Sequence, residues 1–139
     1  MKKVLIDTDV ILDFFFDRKP FSESATRILT LCETRAIEGF ITPVIVSNVY
    51  YLLRQTAKHE RIIEKLTLLI SFLGILLIDK TVITSALNSG FKDFEDALQN
   101  FSAEHASDVD VILTRNIKDY KSSKLSVMTP DDFLRVVED

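Results

Sequence analysis

The chain has 139 residues, 47% of them hydrophobic, with ten Phe and no Trp; it is long enough to bury a core and reads as one domain, residues 1–139. Its 21 acidic residues outnumber 17 basic ones, for a formal charge of −4. That excludes nucleic-acid binding by bulk positive charge, though not a local basic groove or an acidic site that reaches phosphate through metal ions. The single cysteine, Cys32, rules out an internal disulfide and fits a reducing, cytoplasmic setting.

In chain order, MKKVLIDTD meets an acid after three apolar residues, too soon for a signal peptide. Val4 to Ile6 reads as a first strand with Asp7 at its carboxyl end, and a helical stretch follows from Val10 to Phe16. Ser22 to Ile37 reads as a second helix, capped by Ser22, striped by Ala25, Ile28, Leu29, Cys32 and Ala36, and ended by Gly39. A brief strand, Phe40 to Thr42, leads to Pro43, which suits the first turn of a helix over Val44 to Ala57. The most apolar run, Leu66 to Ile78, is thirteen residues, short of a membrane span; it reads as the end of a helix from Glu60 to Leu73 and a buried strand, Ile75 to Ile78. A short helix over Thr81 to Asn88 stops at Gly90, and Asp93 opens another. The strand Val111 to Thr114, a polar turn over Arg115 to Ser123, an edge strand within Leu125 to Met128 and a terminal helix from Pro130, capped by Thr129, complete the chain. Apolar runs alternating with helical patterns predict an α/β fold with a mainly parallel sheet.

In such sheets, ligands bind beyond the carboxyl ends of the strands. Asp7 and Asp9 follow the first strand, Asp79 the third, and Asn116 and Asp119 the fourth. Asp93 and Asp96 stand three residues apart at the start of the helix leading into that fourth strand. Each acid alone has a plain reading as a cap or a soluble turn residue. Gathered by a parallel sheet, they would make a dense negative cluster that is costly without a cation. Mg2+ or Mn2+ takes oxygen ligands, activates water and offsets charge on a phosphodiester under attack.

The segments VLIDTDVIL, ITPVIVSNVYYLL, DFEDALQNFSAEH and VDVILTRNIKDY, in this order, resemble the PIN domain, and especially VapC-type toxins of bacterial toxin–antitoxin pairs. The resemblance covers nearly the whole chain. It implies a three-layer α/β/α sandwich, a divalent-metal site and hydrolysis of RNA. It also implies a small antitoxin partner and a homodimer, with no membrane association. The family's first acid maps onto Asp7 and its third onto Asp96. The second, a Glu, falls on Asn48, and no Asp or Glu occurs from Gly39 to His59; the fourth falls on Asn116. Asp93 and Asp119 stand nearby as substitute ligands, so the expected catalytic and metal set is Asp7, Asp96, Asp119 and Asp93. Asn48, Asn116, Thr8 and Thr114 are expected to support it, and Arg115 and Lys118 to meet RNA phosphates.

Two other readings compete. Neutral residues at two family positions suit a PIN-like binding module that has lost turnover. DTDVI partly matches the strand-end motif of haloacid-dehalogenase-like phosphatases, but Ile11 stands where that motif has Thr or Val, and Asp108 and Asp110 precede their strand rather than follow it. His105 is expected in the core beside Leu98 and Phe101, and Tyr50 and Tyr51 as packing or dimer contacts.

Overall fold

The structure, a computed structural model, describes residues 2–138. Its centre is β1, Lys3–Ile6 (KVLI), in which Val4, Leu5 and Ile6 are fully buried. A continuous apolar run is what a strand covered on both faces requires. On one side β1 pairs with β2 (Glu38–Ile41), which pairs with β3 (Gly74–Ile75). On the other it pairs with β4 (Val111–Leu113), which pairs with β5 (Ser126–Met128). The order is β3-β2-β1-β4-β5 and every pairing is parallel.

Parallel strands need crossovers, and the helices supply them. They are α1 (Thr8–Phe15), α2 (Ser22–Glu33), α3 (Pro43–Leu53), α4 (His59–Ile70), α5 (Lys80–Leu87), α6 (Phe94–His105) and α7 (Pro130–Glu138). Layered on the sheet, they give the α/β/α sandwich that the resemblance implies. The main core joins the strands to α1, α2, α3 and α4 through residues such as Ile11, Ile28, Ile45 and Ile62. A smaller cluster of Val82, Ala86, Ala97 and Leu98 clamps α5 to α6.

Several boundaries differ from the sequence reading. The second helix ends at Glu33 rather than Ile37, because Arg35 takes a left-handed conformation (φ 65) and the N–H groups of Ala36 and Ile37 both turn back to the Leu31 carbonyl. Ala36 therefore leaves the stripe, and Phe21, not Ser22, occupies the cap position, with no side-chain cap bond. Gly39 does not stop a helix but lies inside β2, where a Cβ would stand 2.5 Å from Cys32 Sγ and 2.8 Å from a Leu73 methyl carbon. The third strand is two residues long rather than four, a stub at the sheet edge. Thr42, Asp79 and Asp93 cap α3, α5 and α6 by accepting the N–H groups of Ile45, Val82 and Asp96. His105 is exposed, its ring against Phe101.

Candidate active site

The register of β1 and β4 sets Ile6 beside Leu113, so the residues that follow them share one edge of the sheet. The Asp7 N–H extends the ladder by donating to the Leu113 carbonyl at 3.0 Å. Its carboxylate accepts from the Thr8 N–H at 2.8 Å and from the Thr114 hydroxyl at 3.0 Å, and the residue is only 9% exposed. Asp9 ties the turn after β1 to the turn after β4. Its Oδ2 accepts from the Arg115 N–H at 3.1 Å, the Asn116 amide at 3.2 Å and the Thr114 hydroxyl at 3.3 Å, while its buried Oδ1 has no partner.

The third side of the site is α6. It is pinned over the strand ends by buried polar contacts: the Thr42 hydroxyl donates to Gln99 Oε1 at 2.6 Å, and the Ser102 hydroxyl to the Leu77 carbonyl at 2.8 Å. Asp93 does begin this helix, its Oδ1 accepting the Asp96 N–H at 3.0 Å. The Asp96 carboxylate takes no part in capping and faces the other acids, with Asp7, Asp93 and Asp119 all repelling its charge.

These residues surround a cleft of about 520 Å³, lined by Asp7, Thr8, Asp9, Asn48, Glu95, Asp96, Asn116 and Asp119, and also by Arg18 and Tyr51. An adjoining hollow of about 350 Å³ shares Asp96 and Asp119 and adds Asp93 with the lysines Lys92, Lys118 and Lys121. Asn48, where the resemblance calls for a Glu, donates its amide to Glu95 on α6 at 3.0 Å. A carboxylate therefore still stands at that corner, delivered from the opposite helix.

Concentrated negative charge shows in the acid strengths. Burial, then the neighbouring Asp9, raises the Asp7 carboxyl from 3.8 to about 6 despite the hydrogen bonds that favour its ionised form. Burial, then repulsion by Asp7, Asp93 and Asp119, raises Asp96 from 3.8 to about 7. Asp9 is raised too, chiefly by burial. Two carboxyls near neutrality in one cleft are a mark of functional sites.

The structure thus brings Asp7, Asp96, Asp119, Asn48, Asn116 and Thr8 to one cleft, sets Thr114 against Asp7 beneath it, and places Asp93 and Lys118 in the adjoining hollow. Arg115 is engaged within the protein. Its guanidinium donates to the buried Asp13 at 2.6 and 3.1 Å and stacks 4.1 Å from the Phe21 ring, because a carboxylate 1% exposed needs a counterion. Arg18, which the sequence reading passed over, lines the cleft, its guanidinium 3.6 Å from the same Asp13 carboxylate. Glu95 and Tyr120 were also missed: one looks like a first-turn helix acid and the other like a packing aromatic, and only their long-range contacts mark them. Tyr51, 68% exposed, lines the cleft and packs edge-on to Tyr50, 4.9 Å between ring centroids.

Among the described residues, no three His, Cys, Asp or Glu side chains form a ready-made metal cage. The donor set instead suits a hard cation held by one or two carboxylates that keeps several waters, as Mg2+ does. The unpartnered buried Asp9 Oδ1, on a carboxylate whose charge also raises Asp7, fits that arrangement.

A parallel α/β sandwich with its carboxylates gathered at the strand ends defines the class. The PIN domain family model matches residues 3–118, and the chain belongs to that family. No curated protein matches it. Among solved structures it is similar to a chain of VapBC2 from Rickettsia felis bound to a promoter DNA fragment, at 14% identity over 91% of this chain and 96% of that one, TM-score 0.66. It is similar to a chain of VapBC-1 from nontypeable Haemophilus influenzae, at 12% identity over 93% and 98%, TM-score 0.66. It is also similar to VapC20 of Mycobacterium tuberculosis, described as a sarcin-ricin loop cleaving toxin, at 11% identity over 78% and 86%, TM-score 0.60. No helix among the described residues is long and apolar enough to cross a membrane.

Proposed function

We propose that this chain is a cytoplasmic Mg2+- or Mn2+-dependent endoribonuclease and the toxin half of a toxin–antitoxin pair. The observation that carries the reading is the Asp7–Asp96 pair, raised to about 6 and about 7 in one cleft by burial and by neighbouring carboxylates. Such a pair is held in place by the fold at a cost that a bound cation offsets. When bound, the cation lowers the pKa of a water and offsets charge on the phosphodiester.

Asp7, the more buried and held by Thr8 and Thr114, would anchor the cation. Asp96 would share in holding it, facing Asp7 across the same cleft. Asp119 and Asp93 add charge from the rim. Asn116 orients Asp9 and Asn48 orients Glu95, so the two amides at the family's acid positions each hold a carboxylate. Arg18 and Lys118 meet RNA phosphates on either side, and Tyr51 offers a stacking face.

The antitoxin reading draws support from the VapBC complexes among the structural neighbours. An apolar groove of about 280 Å³ between α1, α2 and α4, lined by Phe14, Phe15, Leu29, Leu68, Leu69 and Phe72, would seat an apolar segment of such a partner, and we read the chain as a homodimer. PIN family membership leaves the phosphatase alternative without support, whereas a binding module that has lost turnover is an outcome of the test. Purified protein should cleave pooled structured and unstructured RNAs with Mn2+ or Mg2+, and stop with chelator or on Asp96→Asn. Mn2+ binding without cleavage of any RNA would favour the binding module; cleavage unaffected by chelator would refute the proposal.

A further inference from the structure

Tyr120 closes the short 3-10 helix Ile117–Tyr120 and is 1% exposed. Its ring packs edge-on to Phe91, 6.1 Å between centroids, which fixes its direction. The hydroxyl faces the Asp7 and Asp96 carboxylates, near enough to favour their ionised forms, yet completes a well-aligned hydrogen bond to neither and to no other group. A buried hydroxyl this close to two carboxylates, without a well-formed bond to either, is only partly satisfied. Phenylalanine would fill the same space, so the hydroxyl needs an explanation.

We propose that Tyr120 is a positioning residue for the cation site: its hydroxyl is a donor whose hydrogen bond to the Asp7–Asp96 pair forms when a divalent cation fixes the two carboxylates. The inference rests on the cation reading above. A phenol donating to a carboxylate oxygen leaves the remaining lone pairs for the cation and restricts rotation of the carboxylate. Partners of this kind are worth roughly 10–100-fold in metal affinity. Packing alone does not account for the hydroxyl, because the ring makes that packing without it.

The test is Tyr120→Phe, which keeps the ring and removes one oxygen. By titration calorimetry its Mn2+ affinity should fall roughly tenfold or more, while the metal-free protein still melts cooperatively. The chain has three Tyr and no Trp, so its near-ultraviolet spectrum reports on few groups. Adding Mg2+ to wild type should produce a tyrosine difference band that persists in Tyr50→Phe and vanishes in Tyr120→Phe. Equal Mn2+ affinity in wild type and Tyr120→Phe overturns the proposal while leaving the cation site standing. So does Mg2+ binding to wild type with no tyrosine band, a result that needs no variant to fold. Wild type that binds neither ion sinks the cation reading itself, and this proposal with it.

Discussion

The metal-free protein should be less stable at pH 8 than its Asp7→Asn variant. A carboxyl moved from 3.8 to about 6 carries about 3 kcal/mol of differential interaction between its protonation states. The sign follows from the direction. The folded state holds this proton more tightly than the unfolded chain, so the stabilisation is complete below about pH 4 and is lost as pH rises through about 6. Asp96, raised to about 7, acts with the same sign but is weakened by solvent screening because it is only partly buried. The substitution should not break the local network. A side-chain amide oxygen still accepts the Thr8 N–H, and Thr114, whose one hydroxyl proton now serves both Asp7 and Asp9, can give it to Asp9 and accept from the new amide. Thermal melts followed by circular dichroism in chelator, from pH 4.5 to 8.5, should show the variant gaining on wild type as pH rises. The gap should reach up to about 3 kcal/mol, or several degrees at roughly 3 °C per kcal/mol. Saturating Mn2+ should reverse the order, since a ligand at a hundred times its Kd adds about 2.7 kcal/mol to the state that binds it. A wild type that outlasts the variant at pH 8 without metal would refute this, because Asp7 would then be stabilised by its surroundings rather than strained by them.

Mn2+ affinity should fall as pH drops from 8 to 6, because Asp96 at about 7 and Asp7 at about 6 must both lose protons before they ligate; calorimetry across that range checks it, and a flat profile would count against these two acids as ligands. Arg18→Ala should weaken RNA binding across sequences and lower the slope of log K against log salt by about 1, while Arg115→Ala, losing the closer of the two arginines paired with buried Asp13, should lower the melting temperature more. Gly39→Val should destabilise by roughly 1–3 kcal/mol through overpacking, since its Cβ would meet Cys32 Sγ at 2.5 Å; an unchanged melting temperature would contradict the close approach of α2 to β2.

Much of the fold is legible in the sequence because buried parallel strands must be continuous apolar runs: VLI in β1 and VIL in β4 admit few other readings. Less legible were features set by a distant neighbour. Gly39 reads as a helix stop until Cys32 and Leu73 are seen against it. Asp7 and Asp96 were singled out among the strand-end and helix-start acids by the resemblance to the PIN domain. Asp93 and Asp96 turned out to divide two roles, one capping α6 and the other facing the acids. No local pattern announces that Asn48 and Asn116 donate to Glu95 and Asp9, since these contacts join residues 47 and 107 positions apart. Nor could it show that Arg115 serves Asp13, 102 positions away.

Diffraction from crystals grown at pH 8 and soaked in Mn2+, recorded near the manganese edge, asks the central question directly. The account predicts an anomalous peak in the cleft within bonding distance of Asp7 and Asp96, absent from Asp96→Asn crystals. A peak elsewhere, or none from protein that cleaves RNA in the same Mn2+ buffer, would show that the acids at these strand ends do not hold the catalytic ion.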